Sequence, residues 1–277
     1  MILVTGASGN VGSELVRTLI TKGRAVRALA RSTGEGARLP AGVQSVPGDL
    51  NDPPSLRPAL DGADGLFLLP GYADMPGILA RARQAGVKHV VQLSGMSAGS
   101  SDMDNAVTRY MADSERAVRD SGMAWTIIRP AAFMTNAFRW LPQLRAGDVV
   151  RLPFATVRAA TIDPADIAEV AALTLIAGHH EGRVYPLSGP EALTPSEQVA
   201  ILGRALGRDL RFEAQPDDEA REQMSKSMPA RYVDAFFRFY ADGTLDESKI
   251  LPAVQALTGR PPRSFGQWAV DHASAFE

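Results

Sequence analysis

Ile2-Leu-Val4 is apolar without a break, and the next apolar positions, Val11, Leu15, Val16, Leu19 and Ile20, recur at helical spacing as far as Gly23. This pattern predicts a short buried strand and then a helix with one apolar face, stopped by the glycine. The alternation repeats down the chain. Strands are predicted at 25–30, at a third run ending in Val46-Pro-Gly-Asp49-Leu50, at 65–69, at 88–93 and at 125–128. Helices are predicted up to about Ala85 before Gly86, and from about Asn105 to Asp120 before Ser121-Gly122. After Pro130 the rhythm changes. Residues 160–163 read as a strand end, 165–172 as an amphipathic helix and 183–187 as a short strand. Thr194-Pro-Ser-Glu197 is a capping box opening a helix that ends near Gly207. The remainder reads as helical and richer in aromatics: Tyr232, Phe236, Phe237, Phe239, Tyr240, Phe265 and Trp268.

Strands alternating with helices imply an α/β fold, a Rossmann-type doubly wound parallel sheet with right-handed crossovers. A smaller, mostly helical C-terminal substrate domain follows. The expected division gives 1–135 plus about 155–187 to dinucleotide binding, and about 136–154 with 188–277 to a substrate lid. Ligands of such sheets lie beyond the carboxyl ends of the strands. That rule lines up Gly6 to Gly12, Arg31, Asp49, Leu69-Pro70, Ser94 and Arg129-Pro130 along one crevice.

Between the first strand and helix stand Gly6, Gly9 and Gly12. Gly6 permits a tight turn, Gly9 lets main-chain amides approach a pyrophosphate, and Gly12 lets the helix pack close to the strand. The helix N-terminus adds unpaired N–H donors and about half a positive charge. A nucleotide site is therefore expected. At the end of the second strand, where an NAD site places an acid for the ribose 2′-hydroxyl, stands Arg31 followed by Ser32. A guanidinium suits a 2′-phosphate, so NADP(H) is favoured over NAD(H). Asp49 can reach an adenine amino group with Leu50 covering the ring, or serve only as a turn residue before Asp52-Pro53.

Composition changes this picture only by exclusion. The 277 residues are 45% hydrophobic and 22% charged, with net charge −2. No nucleic-acid partner and no membrane are expected; the partner is a small apolar substrate, and a homodimer is left open. Zero cysteines exclude a thiol nucleophile or thiolate metal site, and the four histidines stand at no metal-ligand spacing. With Ile2 already in a strand no cleavable leader is expected, and the cytoplasm is the default location.

Several stretches resemble the short-chain dehydrogenase/reductase superfamily, and within it the atypical NmrA-like branch that includes NAD(P)H:quinone oxidoreductases. They are Thr5-Gly-Ala-Ser-Gly-Asn-Val-Gly12, Gly48-Asp-Leu50, Glu115 to Gly122, Trp125 to Pro130, Phe133-Met-Thr-Asn136, Ile162-Asp163, Asp166 to Ala171 and Leu257 to Pro261. The resemblance implies that Ser8, Asn10 and Val11 contact cofactor phosphates, Leu69-Pro70 the ribose side, and Ser94 and Pro130 the nicotinamide region. One departure stands out. Most of the superfamily carries Tyr-x-x-x-Lys on the helix after the fifth strand; here Tyr110 is followed four residues on by Ser114, and no lysine lies between Lys88 and Lys226.

Without that pair a simple ketone, which becomes a basic alkoxide, lacks its acid. A quinone or extended enone becomes a delocalised oxyanion that needs less help. A flat conjugated acceptor fits Phe133, Met134, Phe138 and Phe236, which are otherwise core. Tyr110 and Ser94 are the candidate catalytic groups; Tyr110 is alternatively structural, Ser94 alternatively a turn cap, and Arg129 is expected to anchor a local carboxylate. Three functions follow: an NADPH-dependent reductase of quinone-like or conjugated carbonyl substrates, a dinucleotide-binding redox sensor without turnover, and a tailoring enzyme of aromatic polyketide metabolism.

Overall fold

The computed structural model describes residues 1–31 and 39–276; Ser32 lies outside them. Seven strands form one parallel sheet: β1 (Ile2–Val4), β2 (Val26–Ala30), β3 (Gln44–Pro47), β4 (Gly65–Leu68), β5 (His89–Leu93), β6 (Ala124–Pro130) and, between them and the C-terminus, one further strand at Arg183–Leu187. The order is β3-β2-β1-β4-β5-β6 and then the 183–187 strand. Strand order reverses between β1 and β4, whose Val4 and Phe67 are register partners. That reversal is the point where such sheets bind ligands. The strands are short and apolar because both faces are covered: Leu3, Val4, Phe67, Leu68, Val90 and Val91 are all buried.

On one face lie α1 (Asn10–Thr21) and, later in the chain, a helix over Pro164–Ile176. On the other lie the short α2 (Arg57–Leu60), α3 (Met75–Gln84) and α4 (Ala106–Asp120), sealing Leu56, Leu66, Ile78, Leu79 and Val118. The helix α1 follows the sequence closely, with Val11, Leu15, Val16 and Leu19 buried and Gly23 at φ +69° beyond its end. Asn105 caps α4, its side chain accepting from Val107 and Thr108.

After β6 come α5 (Leu141–Ala146), β7 (Val149–Leu152), α6 (Pro164–Ile176), β8 (Arg183–Leu187), α7 (Pro195–Leu206), β9 (Arg211–Ala214), α8 (Asp217–Ser225), α9 (Ala230–Tyr240), α10 (Ala253–Thr258) and α11 (Phe265–Asp271). Three expectations are corrected here. β7 and β9 pair in parallel as a second small sheet where only helices were read. Arg211-Phe-Glu-Ala214 does alternate polar with apolar, but four residues are a weak signal inside helical surroundings. Residues 160–163 are no strand; single bridges join Ile162 to Phe133 and Ala159 to Leu193. α6 is not amphipathic: Ile167, Ala168, Val170, Ala171, Ala172 and Thr174 are buried, because the sheet, α1 and α10 enclose it.

The fully buried acid of that helix, Asp166, accepts from Arg260 Nη2 at 2.8 Å and from the Arg263 amide at 2.7 Å, and the Arg263 guanidinium pairs with it as well. A second core gathers Trp140, Leu144, Val150, Leu202, Phe265, Trp268 and Phe276. Val254 of α10 returns instead to the sheet core.

The capping box of α7 is present in both directions, Thr194 Oγ1 accepting from the Glu197 amide and Glu197 accepting from the Thr194 amide. Thr194→Ala is expected to cost about 1 kcal/mol, read as a fall of about 2–4 °C in Tm by thermal unfolding.

Candidate functional site

The loop between β1 and α1 is built by its glycines. Gly6 sits at φ +62°, and a Cβ there would lie 2.5 Å from Leu69 Cδ1. A Cβ on Gly12 would run into the Gly6 carbonyl oxygen and stand 2.6 Å from the Gly6 carbonyl carbon and 3.0 Å from Ala7 Cα, all main chain. Gly9 is the N-cap of α1 and supplies no side-chain cap. The first-turn amides of Asn10, Val11 and Gly12 therefore keep their hydrogens for an acceptor outside the helix. This cradle fits a pyrophosphate: bare donors, a dipole end and no side chain in the way. Thr5 ties it to the far strand, its Oγ1 donating to the Phe67 carbonyl at 2.9 Å and accepting from the Leu69 amide at 3.1 Å.

Ser8, Gly9 and Asn10 are exposed. Two of the expected phosphate contacts are narrowed. Val11 has its side chain in the sheet core, 3% exposed, so only its amide faces outward. Asn10 Nδ2 donates to Thr135 Oγ1 at 3.0 Å, linking the cradle to the segment after β6.

On the β2 side Arg31 is exposed. The Asp49 side chain accepts from the Asn51 amide at 2.8 Å and its Nδ2 at 3.1 Å, the arrangement of the turn reading. Leu50 packs into the core with Leu3, Val46 and Leu56, which takes it away from the role of ring cover. Sequence reasoning missed Tyr72. It is half-buried, and burial first, then the Asp49 charge, raise its hydroxyl pKa against the opposing pull of Arg31. Its signal was an aromatic two residues past Pro70, the residue that with Leu69 lines the half-buried exit of β4.

On the β5–β6 side Ser94 is buried and its hydroxyl donates to Glu115 Oε1 at 2.7 Å. Arg129 Nε and Nη2 grip Glu115 Oε1 and Oε2, both at 2.7 Å, and Arg119 adds a contact at 2.8 Å. Arg129 thus anchors a local carboxylate, as expected from the sequence. Burial pushes the Glu115 carboxyl pKa up, but the hydrogen bonds from Arg129 and Ser94 and the charges of Arg129 and Arg119 outweigh it and hold the carboxyl below its ordinary value. Ser94 is neither a turn cap nor free: it is held by Glu115. Pro130, buried, closes β6 beside Leu187.

Tyr110 lies edge-on to Tyr232, with ring centroids 6.3 Å apart. Burial, then Tyr232, raise its pKa, and no lysine follows at the spacing that would lower it. The residue at that spacing, Ser114, accepts from the Gly71 amide at 2.9 Å and donates to the Tyr110 carbonyl at 2.7 Å. Ser114 thus pins the loop after β4. The expected pocket is also corrected. Met134 is 1% exposed in the second core, and Phe138 packs on Trp268 and Phe276 at 5.2 and 5.1 Å. Phe133, Phe138 and Phe236 are all half-buried and keep some open surface, Phe133 packing against the sheet core. The sequence also gave no warning of Tyr240 Oη donating to buried Glu247 Oε2 at 2.9 Å.

Among the described residues no three metal-capable side chains converge, and no helix is long and apolar enough to cross a membrane.

A reversal-point crevice with a bare glycine cradle defines a dinucleotide-binding protein of the Rossmann type. The profile of a family described as NAD(P)H-binding matches residues 6–176, and the chain belongs to that family, in the NmrA-like branch of atypical short-chain dehydrogenases/reductases. The chain is 42% identical to a (4-alkanoyl-5-oxo-2,5-dihydrofuran-3-yl)methyl phosphate reductase of Streptomyces griseus, covering 100% of this chain and 99% of the relative. It is 36% identical to an NAD(P)H azoreductase of Xenophilus azovorans, covering 100% and 99%. Quinone oxidoreductase 2 of Escherichia coli is 26% identical over 98% of each chain. A solved Escherichia coli NADPH-dependent quinone oxidoreductase shares the fold at TM-score 0.81 and 22% identity, covering 98% of this chain and 99% of that one.

Proposed function

We propose that this protein is an NADPH-dependent reductase of flat conjugated acceptors, in which hydride adds to an unsaturated bond and leaves a delocalised anion. The observation that carries the reading is the shared chemistry of its relatives' named acceptors. The dihydrofuranone ring of the first holds a double bond conjugated to two carbonyls, and an azo bond and a quinone are conjugated as well. Hydride addition to each leaves a delocalised anion. Such an acceptor tolerates the loss of the Tyr-x-x-x-Lys pair, whose lysine position is filled here by the structural Ser114. The cradle at Gly6, Ser8, Gly9, Asn10, Val11 and Gly12 holds the phosphates, Arg31 the 2′-phosphate, and Phe133 and Phe236 bound the acceptor.

Purified protein is expected to consume NADPH with an acyl-butenolide, an enone, a quinone and an azo dye, with the butenolide or enone turned over fastest. Saturable NADPH binding with no consumption on any of the four favours a non-catalytic sensor and defeats the reductase reading. Arg31→Asp is expected to weaken NADPH binding about ten- to hundredfold through loss of one charge-assisted phosphate contact, while NADH binding holds or improves. Isothermal titration with both coenzymes measures it, and an unchanged NADPH:NADH ratio removes Arg31 as the discriminator.

A further inference from the structure

We infer that Glu247 is the proton donor of this reduction, set in place by Tyr240 at the acceptor side of the crevice; the role rests on the reductase reading above. Tyr240 closes α9, and Glu247 lies seven residues on in the segment leading to α10. Tyr240 Oη donates to Glu247 Oε2 at 2.9 Å, and the Ala132 amide faces the same carboxyl. The Glu247 main-chain carbonyl accepts from the Ala160 amide at 2.7 Å. These contacts pin the carboxyl against residues 131–133, which run out from the carboxyl end of β6. Arg31 marks the adenosine end beyond β2 and the cradle lies over β1, so a dinucleotide crossing the reversal point leaves its reactive ring on the β4–β6 side.

The surroundings of Glu247 differ from those of Glu115 in one respect that decides their chemistry. Both are buried, at 6% and 0% exposure. Glu115 has two guanidiniums on it; Glu247 makes no ion pair among the described residues. Burial raises the Glu247 pKa, opposed by the Tyr240 and Ala132 hydrogen bonds. Burial, then Glu247, push Tyr240 well above its ordinary value, against the pull of Arg139 from the turn after β6. A buried carboxyl without a cation favours its neutral form, and a neutral acid can give up a proton where a carboxylate cannot. Phe154 and Phe236, with ring centroids 5.4 and 6.4 Å from that of Tyr240, wall the pair with apolar surface.

The bound coenzyme supplies the hydride, and with it both electrons. With Oε2 accepting from Tyr240, the proton on Glu247 Oε1 passes to the reduced acceptor: the carboxyl O–H bond breaks, a C–H or O–H bond forms on the product, and the resulting carboxylate regains its proton from water.

The test compares wild type with Glu247→Gln and Tyr240→Phe in the full chain. Glu247→Gln is expected to lower kcat on an enone or acyl-butenolide about a hundredfold, and on a quinone, whose reduced oxyanion is weakly basic, by about threefold or less. NADPH affinity is expected to stay level. A protonated-carboxyl infrared band that persists in wild type above the ordinary glutamate range is expected to be missing in Glu247→Gln. Tyr240→Phe removes a hydrogen bond that favours the carboxylate, so the basic limb of the pH–rate profile moves to higher pH. Unchanged enone turnover in Glu247→Gln, or a wild-type carboxyl band that titrates no higher than an ordinary glutamate, overturns the role of Glu247 alone. Should Glu247→Gln not fold, an unmoved limb in Tyr240→Phe overturns it. A wild-type protein that reduces no acceptor overturns the reductase reading and this role with it.

Discussion

Gly12→Ala is expected to abolish useful coenzyme binding. The added methyl group collides with the main chain of Gly6 and Ala7, which cannot rotate out of the way as a side chain can. Either the first turn of α1 lifts or the β1–α1 loop opens, and both disperse the amides of Asn10, Val11 and Gly12. Losing two hydrogen bonds to a charged phosphate costs about 3–6 kcal/mol, a hundred- to ten-thousandfold in Kd. The overpacking itself costs about 1–3 kcal/mol of stability. Titration with NADPH, beside a thermal melt, measures both. Gly9→Ala is the control: its Cβ would stand 3.3 Å from the Gly6 carbonyl oxygen, close but not overlapping. A smaller loss is expected there. Equal losses in the two variants would mean that affinity does not depend on the close approach of helix and strand.

Glu115→Gln is expected to be the most damaging single change to stability at this site. Glu115 neutralises Arg129 and Arg119 and receives the Ser94 hydroxyl inside the protein. The guanidiniums left behind are 36% and 21% exposed, so water takes up part of the loss, leaving about 1–3 kcal/mol, or roughly 2–12 °C in Tm for a chain of this size. The pH dependence follows from the lowered carboxyl. A group whose pKa is depressed in the fold contributes stability above its ordinary pKa, and that contribution disappears as pH falls through the folded value. Wild type is therefore expected to lose stability on acidification through this group, and Glu115→Gln to lack that part of the slope. Denaturant midpoints between neutral pH and the acid transition check it; parallel curves for the two proteins would count against it.

The sheet and the cradle were legible because each is written in a local pattern. Apolar runs bounded by glycines locate β1, β4 and β5, and three glycines between a strand and a helix need no distant residue to be understood. Arg129 was legible for a related reason, since a guanidinium leaving a buried strand requires a carboxylate nearby. Other features depend on partners far away in sequence. Ser114 looked like a missing lysine; that its hydroxyl holds the Gly71 amide, 43 residues back, is visible only in three dimensions. Phe138 and Met134 read as pocket residues because an aromatic run after a strand end fits either fate, and α11 decides for packing. Asp49 had two readings, and the local bond to Asn51 favours the turn. The pairing of Tyr240 with Glu247 was silent because six residues without regular structure separate them.

The clasp on Asp166 bears on how the chain can be divided. Arg260 and Arg263 belong to the last eighteen residues, yet the charge they neutralise sits in the first turn of a helix pressed against the coenzyme-binding sheet. Trimming the tail before Arg260 leaves that acid bare in the hydrocarbon interior. The nucleotide-binding half is therefore expected to borrow its final closure from the far end of the polypeptide, so that proteolytic loss of that end lowers the melting temperature and weakens coenzyme capture with it.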